Sequence, residues 1–256
     1  METFVLSHSS IAFKHVGCGI PLVLVHGFPL DHRIWDKIVP LLENDFELIL
    51  PDLRGFGQSK SHDVDFSLSN MADDIAELLD RLGLRQVLMA GHSMGGYVAL
   101  AFVRSYPDRL LGVGLIASQT NADTLEKKES RYLTLKQVEH SGVEIIAGSM
   151  AGKLTSDPQL QAELHGIIMS QPKAGIENAI RALAERPDQN LLLDTLRIPL
   201  LVIHGESDEL IPVKRAVEVS EAAANAKLVV IPNIGHMPML EAPEKTASAI
   251  RWFMSN

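Results

Sequence analysis

One serine stands in a setting suited to attack on an acyl carbon. Ser93 lies in Gly91-His92-Ser93-Met94-Gly95-Gly96, after the apolar run Val87–Ala90 and before a stretch of helical spacing. A strand that turns sharply into a helix can hold a serine hydroxyl up at the strand's end. The turn admits only small neighbours, which Gly91 and Gly95 supply, and Gly96 lets the helix pack close. A serine hydroxyl is a weak nucleophile until a base takes its proton, and the base needs a third group to orient it. Ligands of an open parallel sheet bind at the carboxyl ends of its strands, so the partners belong there. His236 follows the apolar run Lys227–Ile231 and is the expected base. Asp208 follows Pro199–Ile203 and is the expected acid. His204 competes with the first, Glu206 and Glu209 with the second. A tetrahedral oxyanion needs two N–H donors aimed at it. Met94, next to the serine at a helix start, is one candidate. Phe28 is the other, because Pro29 beside it has no N–H to give.

The elements that must position these residues alternate in type. Thr3–Ser7 and Ile11–Val16 read as an antiparallel edge hairpin. Leu22–Val25, Phe46–Leu50, Val87–Ala90, Leu110–Ala117, Pro199–Gly205 and Lys227–Ile231 read as strands, several without polar alternation, as expected of strands buried on both faces. Helices are expected over His32–Leu42 with Asp31 as cap, from Ser67 or Ser69 to Arg81, from the serine turn to Ser105, and over Val213–Ala224 and Pro243–Phe253. Such alternation implies a mostly parallel sheet with right-handed crossovers. From Asn121 to Asp194 the pattern is helical only, over Thr124–Gly142, Val143–Leu154, Pro158–Met169 and Gly175–Glu185. The expected organisation is therefore a core of residues 1–120 and 195–256 with a helical lid, 121–194, inserted between two strands.

The order Ser93, Asp208, His236 is the serine–acid–histidine order of one fold, and the chain resembles the α/β-hydrolase superfamily along its length. His26-Gly27-Phe28-Pro29 is similar to that family's oxyanion loop, and Asp52–Ser59 to its D-x-R-G-x-G-x-S loop. Gly91–Gly96, Gly205-Glu206-Ser207-Asp208 and Gly235-His236 are similar to its nucleophile, acid and histidine turns. The stretch Val25–Trp35 looks like those of small bacterial carboxylesterases, enol-lactonases and cofactor-free haloperoxidases. The resemblance implies an eight-stranded twisted sheet flanked by helices. It implies a serine carboxylesterase that forms an acyl-enzyme, with Ser93, Asp208 and His236 as triad. Lactone hydrolysis on the same triad is the alternative, and a slow-turnover ligand receptor of the same fold is a further one.

Composition narrows the partners. Lys+Arg 23 against Asp+Glu 32 gives a net charge of −9, which argues against nucleic acid or an anionic membrane as partner. The single cysteine, Cys18, allows no internal disulfide and fits a reducing, cytoplasmic setting. No basic signal-type N-terminus and no long apolar run stand in the chain. No cofactor and no metal ligand set is indicated. His26 and His92 are expected to support loops, and Asp52 and Arg54 to fix theirs. Ile211 and Met237 adjoin the acid and histidine and are the pocket candidates. The lid segment has no basic cluster in sequence, which points to a neutral or weakly polar ester or lactone.

Overall fold

The computed structural model describes residues 1–63 and 65–255. Its strands are β1 (Glu2–Val5), β2 (Ser9–Gly17), β3 (Ile20–Val25), β4 (Phe46–Pro51), β5 (Lys60–Ser61), β6 (Val87–His92), β7 (Leu110–Ile116), β8 (Leu200–Gly205) and β9 (Ala226–Ile231). Its α-helices are α1 (Val39–Leu42), α2 (Leu68–Arg81), α3 (Met94–Ser105), α4 (Leu125–Ser141), α5 (Glu144–Leu154), α6 (Pro158–Met169), α7 (Lys173–Ala184), α8 (Asn190–Thr195), α9 (Lys214–Ala222), α10 (Pro238–Glu241) and α11 (Pro243–Ile250).

Eight strands lie in the order β1-β2-β4-β3-β6-β7-β8-β9, and the two-residue β5 pairs with β2 off that path. β1, β2 and β5 pair antiparallel, whereas every neighbouring pair from β4 to β9 is parallel. All six residues of β6 and all six of β8 are buried. This is why their sequences show apolar runs without alternation: helices cover both faces. The sheet is the α/β-hydrolase fold expected from the order of elements.

Helix ends follow local chemistry. Ser67 caps α2 by accepting the Asn70 N–H, and the Asn70 side chain returns the bond to the cap's backbone. The expected helix over His32–Leu42 breaks into a 3-10 turn, His32–Trp35, and the short α1. Pro40 has no N–H to bond the Asp36 carbonyl, so one continuous helix cannot form there. Asp31 caps the first piece as expected, accepting the Arg33 N–H. Between β7 and β8 run α4 to α8 and, among the described residues, no strand. Two short helices, α8 and α10, escape the periodicity argument because neither spans two full turns.

The core is continuous from Leu6 on the first hairpin to Phe253 near the chain's end. Cys18 is exposed and free. Among the described residues no helix is long and apolar enough to cross a membrane.

Candidate active site

The turn between β6 and α3 places Ser93 at φ 51°, ψ −113°, a left-handed conformation that costs a residue with a side chain roughly 1–3 kcal/mol. Two bonds hold it: the Ser93 N–H donates to the Ile116 carbonyl at 2.9 Å, and Ser118 Oγ donates to the Ser93 carbonyl at 2.8 Å. The three glycines around it are sterically required. A Cβ on Gly91 would lie 2.1 Å from the Gly95 carbonyl oxygen, one on Gly95 2.3 Å from that of Val25, and one on Gly96 2.3 Å from Ser118 Oγ.

Asp208 and His236 come from the loops after β8 and β9, 28 residues apart in sequence. His236 Nδ1–H donates to Asp208 Oδ2 at 2.7 Å. Asp208 Oδ1 accepts the backbone N–H groups of Leu210 at 2.9 Å and Ile211 at 3.0 Å. Burial by itself raises the Asp208 pKa, but hydrogen bonds from His204 and His236, with the His236 charge, outweigh it. They hold the carboxyl well below the ordinary range. An ionised Asp208 keeps the imidazole proton on Nδ1 and leaves the Nε2 lone pair free to act as a base.

The competing residues stand elsewhere. His204 is buried behind Asp208, 3.3 Å from its Oδ2, and bonds the Ile211 carbonyl at 2.8 Å. Glu206 and Glu209 point to solvent.

Ser93 and His236 line one cavity of about 280 Å³, together with Phe28, Met94 and Ile211. Met94 opens α3, so its N–H has no partner within the helix. Met237 is a different matter. It is 0% exposed in the hydrophobic core and is absent from the cavity wall. The loop that presents His236 to the cavity sends the next side chain inward, so adjacency in sequence misplaced it. Met150 from α5 lines the cavity instead, with Tyr97, Ile146 and Leu210. Met150 and Ile146 come from α5, Tyr97 from α3 and Leu210 from the loop after β8, so only the tertiary packing brings them to one cavity with the serine. A second cavity of about 260 Å³ shares Tyr97 but reaches neither Ser93 nor His236.

Two buried histidines brace the loops. His26 Nε2 accepts the Leu53 N–H at 2.9 Å, which puts its proton on Nδ1, 3.0 Å from the Gly27 carbonyl. Burial lowers its pKa despite the charge of Asp52. His92 donates from Nε2 to the His236 carbonyl at 2.8 Å. Burial, with His236 beside it, pushes the His92 pKa down to about 3. Asp52 and Arg54 fix separate loops and do not pair with each other. Asp52 accepts from the His32 backbone and ring and from the Gln58 N–H, while Arg54 grips Asp74 through Nε and Nη2.

Among the described residues, Asp31, His32 and Asp52 are the group close enough to hold a metal ion. Their donor atoms are already engaged. Asp31 binds Arg33 and Gln171, and His32 binds Asp52. None of the three lines the cavity.

The charge of the cavity departs from the expectation of a neutral setting. Lys127 and Arg131 on α4 and Lys153 near the end of α5 line it, and no Asp or Glu does. Lys127 and Arg131 are four residues apart, but Lys153 lies 26 residues beyond Lys127, so the linear sequence does not show that the three meet.

A sheet of this order, carrying a strained serine turn on its central strand and an acid–histidine pair on later strand ends, defines one class of protein. The chain belongs to the α/β-hydrolase family. Residues 20–138 match the family model described as alpha/beta hydrolase fold. A thermophilic esterase from Thermogutta terrifontis, solved with malate bound, is 35% identical. The match covers 100% of this chain and 98% of that one, with a TM-score of 0.96. A pimeloyl-[acyl-carrier protein] methyl ester esterase from Edwardsiella ictaluri is 30% identical over 258 residues, covering 94% of this chain and 96% of its own. The enol-lactonase of Burkholderia xenovorans shares the fold, with a TM-score of 0.91 at 19% identity over the whole of both chains.

Proposed function

We propose that the protein is a serine carboxylesterase for esters of small to medium acyl chain. The observation that carries the reading is the short bond from His236 Nδ1 to an ionised Asp208, with His236 and Ser93 on the wall of one cavity. In this reading His236 Nε2 takes the proton of Ser93 Oγ as the oxygen attacks the ester carbonyl carbon. The new C–O bond leaves a tetrahedral oxyanion, which the backbone N–H groups of Met94 and Phe28 receive. The intermediate collapses, the C–O bond to the alcohol breaks, and His236 returns the proton to that leaving oxygen. A water molecule then gives its proton to His236 and attacks the acyl-enzyme, releasing the acid and restoring Ser93. Asp208 holds the ring and stabilises the imidazolium formed in each half.

A cavity of about 280 Å³ sits at the small end of ligand sites, in keeping with short acyl groups. We also read α4 to α8 as a lid, since α5 and α7 roof the cavity and the Leu154 carbonyl accepts the His236 N–H at 3.1 Å. The esterase activity of the relatives at 30% and 35% identity supports the same reaction class. The test is labelling by a fluorophosphonate with p-nitrophenyl ester and lactone assays. Labelling should map to Ser93, and Ser93→Ala should lower kcat by several orders of magnitude. Ester turnover by Ser93→Ala close to wild type would overturn the assignment.

A further inference from the structure

The net charge of the chain is −9, yet the wall of this cavity carries three cations, Lys127, Arg131 and Lys153, and no carboxylate. Spacing of four residues puts Lys127 and Arg131 on one face of α4. Lys153 lines the same cavity as Ser93 and His236, and its neighbour Leu154 holds the His236 N–H through its carbonyl. A lysine in the last turn of a helix also complements the helix dipole, and Lys153 alone would signify little. The balance of charge around it signifies more.

Neither Lys127 nor Lys153 has an ion-pair partner among the described residues. Other lid cations do find acids: Lys128 pairs with Glu185, and Arg181 with Glu139. Arg131 gives its Nε–H to Asp123, but that carboxylate also serves Arg186, so two guanidinium groups share one acid. The Ser130 hydroxyl lines the cavity as well, whereas those of Thr134 and Ser149, also on its wall, donate to the Ser130 and Ile146 carbonyls. Ile180 and Leu183 of α7 and Leu210 and Ile211 after β8 give the cavity apolar wall, and Ile146 and Met150 add to it from α5.

We infer that the cavity selects esters bearing a free carboxylate a few bonds from the scissile bond, with half-esters of short dicarboxylic acids as the type. This rests on the esterase reading above. The serine and histidine cleave the ester while Lys127, Arg131 and Lys153 receive the carboxylate. The two lysines are exposed at the mouth and draw the anion in. Arg131, half-buried, offers a planar fork that matches a carboxylate. The charged group sits in either the acyl part or the leaving alcohol; both contain the same recognition element.

Monomethyl glutarate and its neutral counterpart dimethyl glutarate separate the effect of charge from that of chain length, and 4-acetoxybutyrate puts the carboxylate on the leaving side. Wild type should favour at least one carboxylate-bearing ester over its neutral counterpart by about tenfold in kcat/KM. The preference should appear mainly in KM and shrink as salt rises. The double variant Lys127→Glu, Lys153→Glu should reverse the preference. Both substitutions are at exposed positions, and a circular-dichroism melt checks that the variant folds. Equal or better turnover of the neutral esters by wild type, with a ratio unmoved in the double variant, would overturn the inference while leaving the esterase reading intact. Failure to cleave any ester would instead remove the esterase reading on which it stands.

Discussion

His92 couples the stability of this protein to pH, and the effect can be calculated. Its ring is fully buried, donates to the His236 carbonyl and titrates only at about 3. In the unfolded chain the same ring titrates at 6.5. Between those values the unfolded state binds one more proton than the folded state, so stability rises with pH there. The contribution is fully present above 6.5 and is lost as pH falls towards 3. The limiting slope is about 1.4 kcal/mol per pH unit. Integrated down to about pH 5, His92 alone removes about 2 kcal/mol of stability.

Glutamine is the informative substitution, because its side-chain N–H₂ can reach where Nε2–H now donates, yet it does not titrate. His92→Gln should be destabilised near neutrality by about 1–2 kcal/mol, from imperfect packing of the replaced ring. That deficit should shrink by about 2 kcal/mol when urea unfolding is repeated at about pH 5, and the variant then equals or exceeds wild type. His26, also buried with a lowered pKa, contributes in the same sense in both proteins and cancels from the difference. A free-energy difference between variant and wild type that stays constant from about pH 8 to about pH 5 would show that His92 does not link folding to protonation.

Two glycines should respond in opposite directions to alanine. At Gly95 the added Cβ meets the Val25 and His26 carbonyl oxygens at 2.3 and 2.6 Å, so Gly95→Ala should cost at least about 1–3 kcal/mol in thermal unfolding and abolish ester turnover. Gly148 lies inside α5 with nothing within 4 Å of its added Cβ, and Gly148→Ala should stabilise by about 0.4–1 kcal/mol. Asp208→Asn replaces an acceptor of the His236 Nδ1–H with a group that can donate to the ring and favour the wrong tautomer. Its kcat should fall by about 10³–10⁴ with KM little changed in steady-state ester assays.

Much of the architecture is legible along the chain because the signals are local. A strand buried on both faces carries an unbroken apolar run, and β3, β6 and β8 announce themselves that way before the buried histidines that close β6 and β8. The serine turn is legible because its backbone approaches itself so closely that Gly91, Gly95 and Gly96 admit no Cβ. Asp208 and His236 are found by their places after apolar strands, since a parallel sheet gathers every strand's carboxyl end on one edge.

What the linear order leaves open depends on which way a side chain points and on what packs across from it. Ile211 and Met237 flank the acid and the histidine alike, but one lines the cavity and the other fills the core. The helix expected over His32–Leu42 breaks because Pro40 withholds a single N–H. Lys127 and Arg131 are far from Lys153 along the chain, and only the placement of α4 and α5 brings all three to the cavity that Ser93 lines. Charge acts through space and falls with distance, not with separation along the chain. The serine turn is thus written locally in the sequence, while the electrostatic character of the cavity that Ser93 lines comes from the tertiary structure.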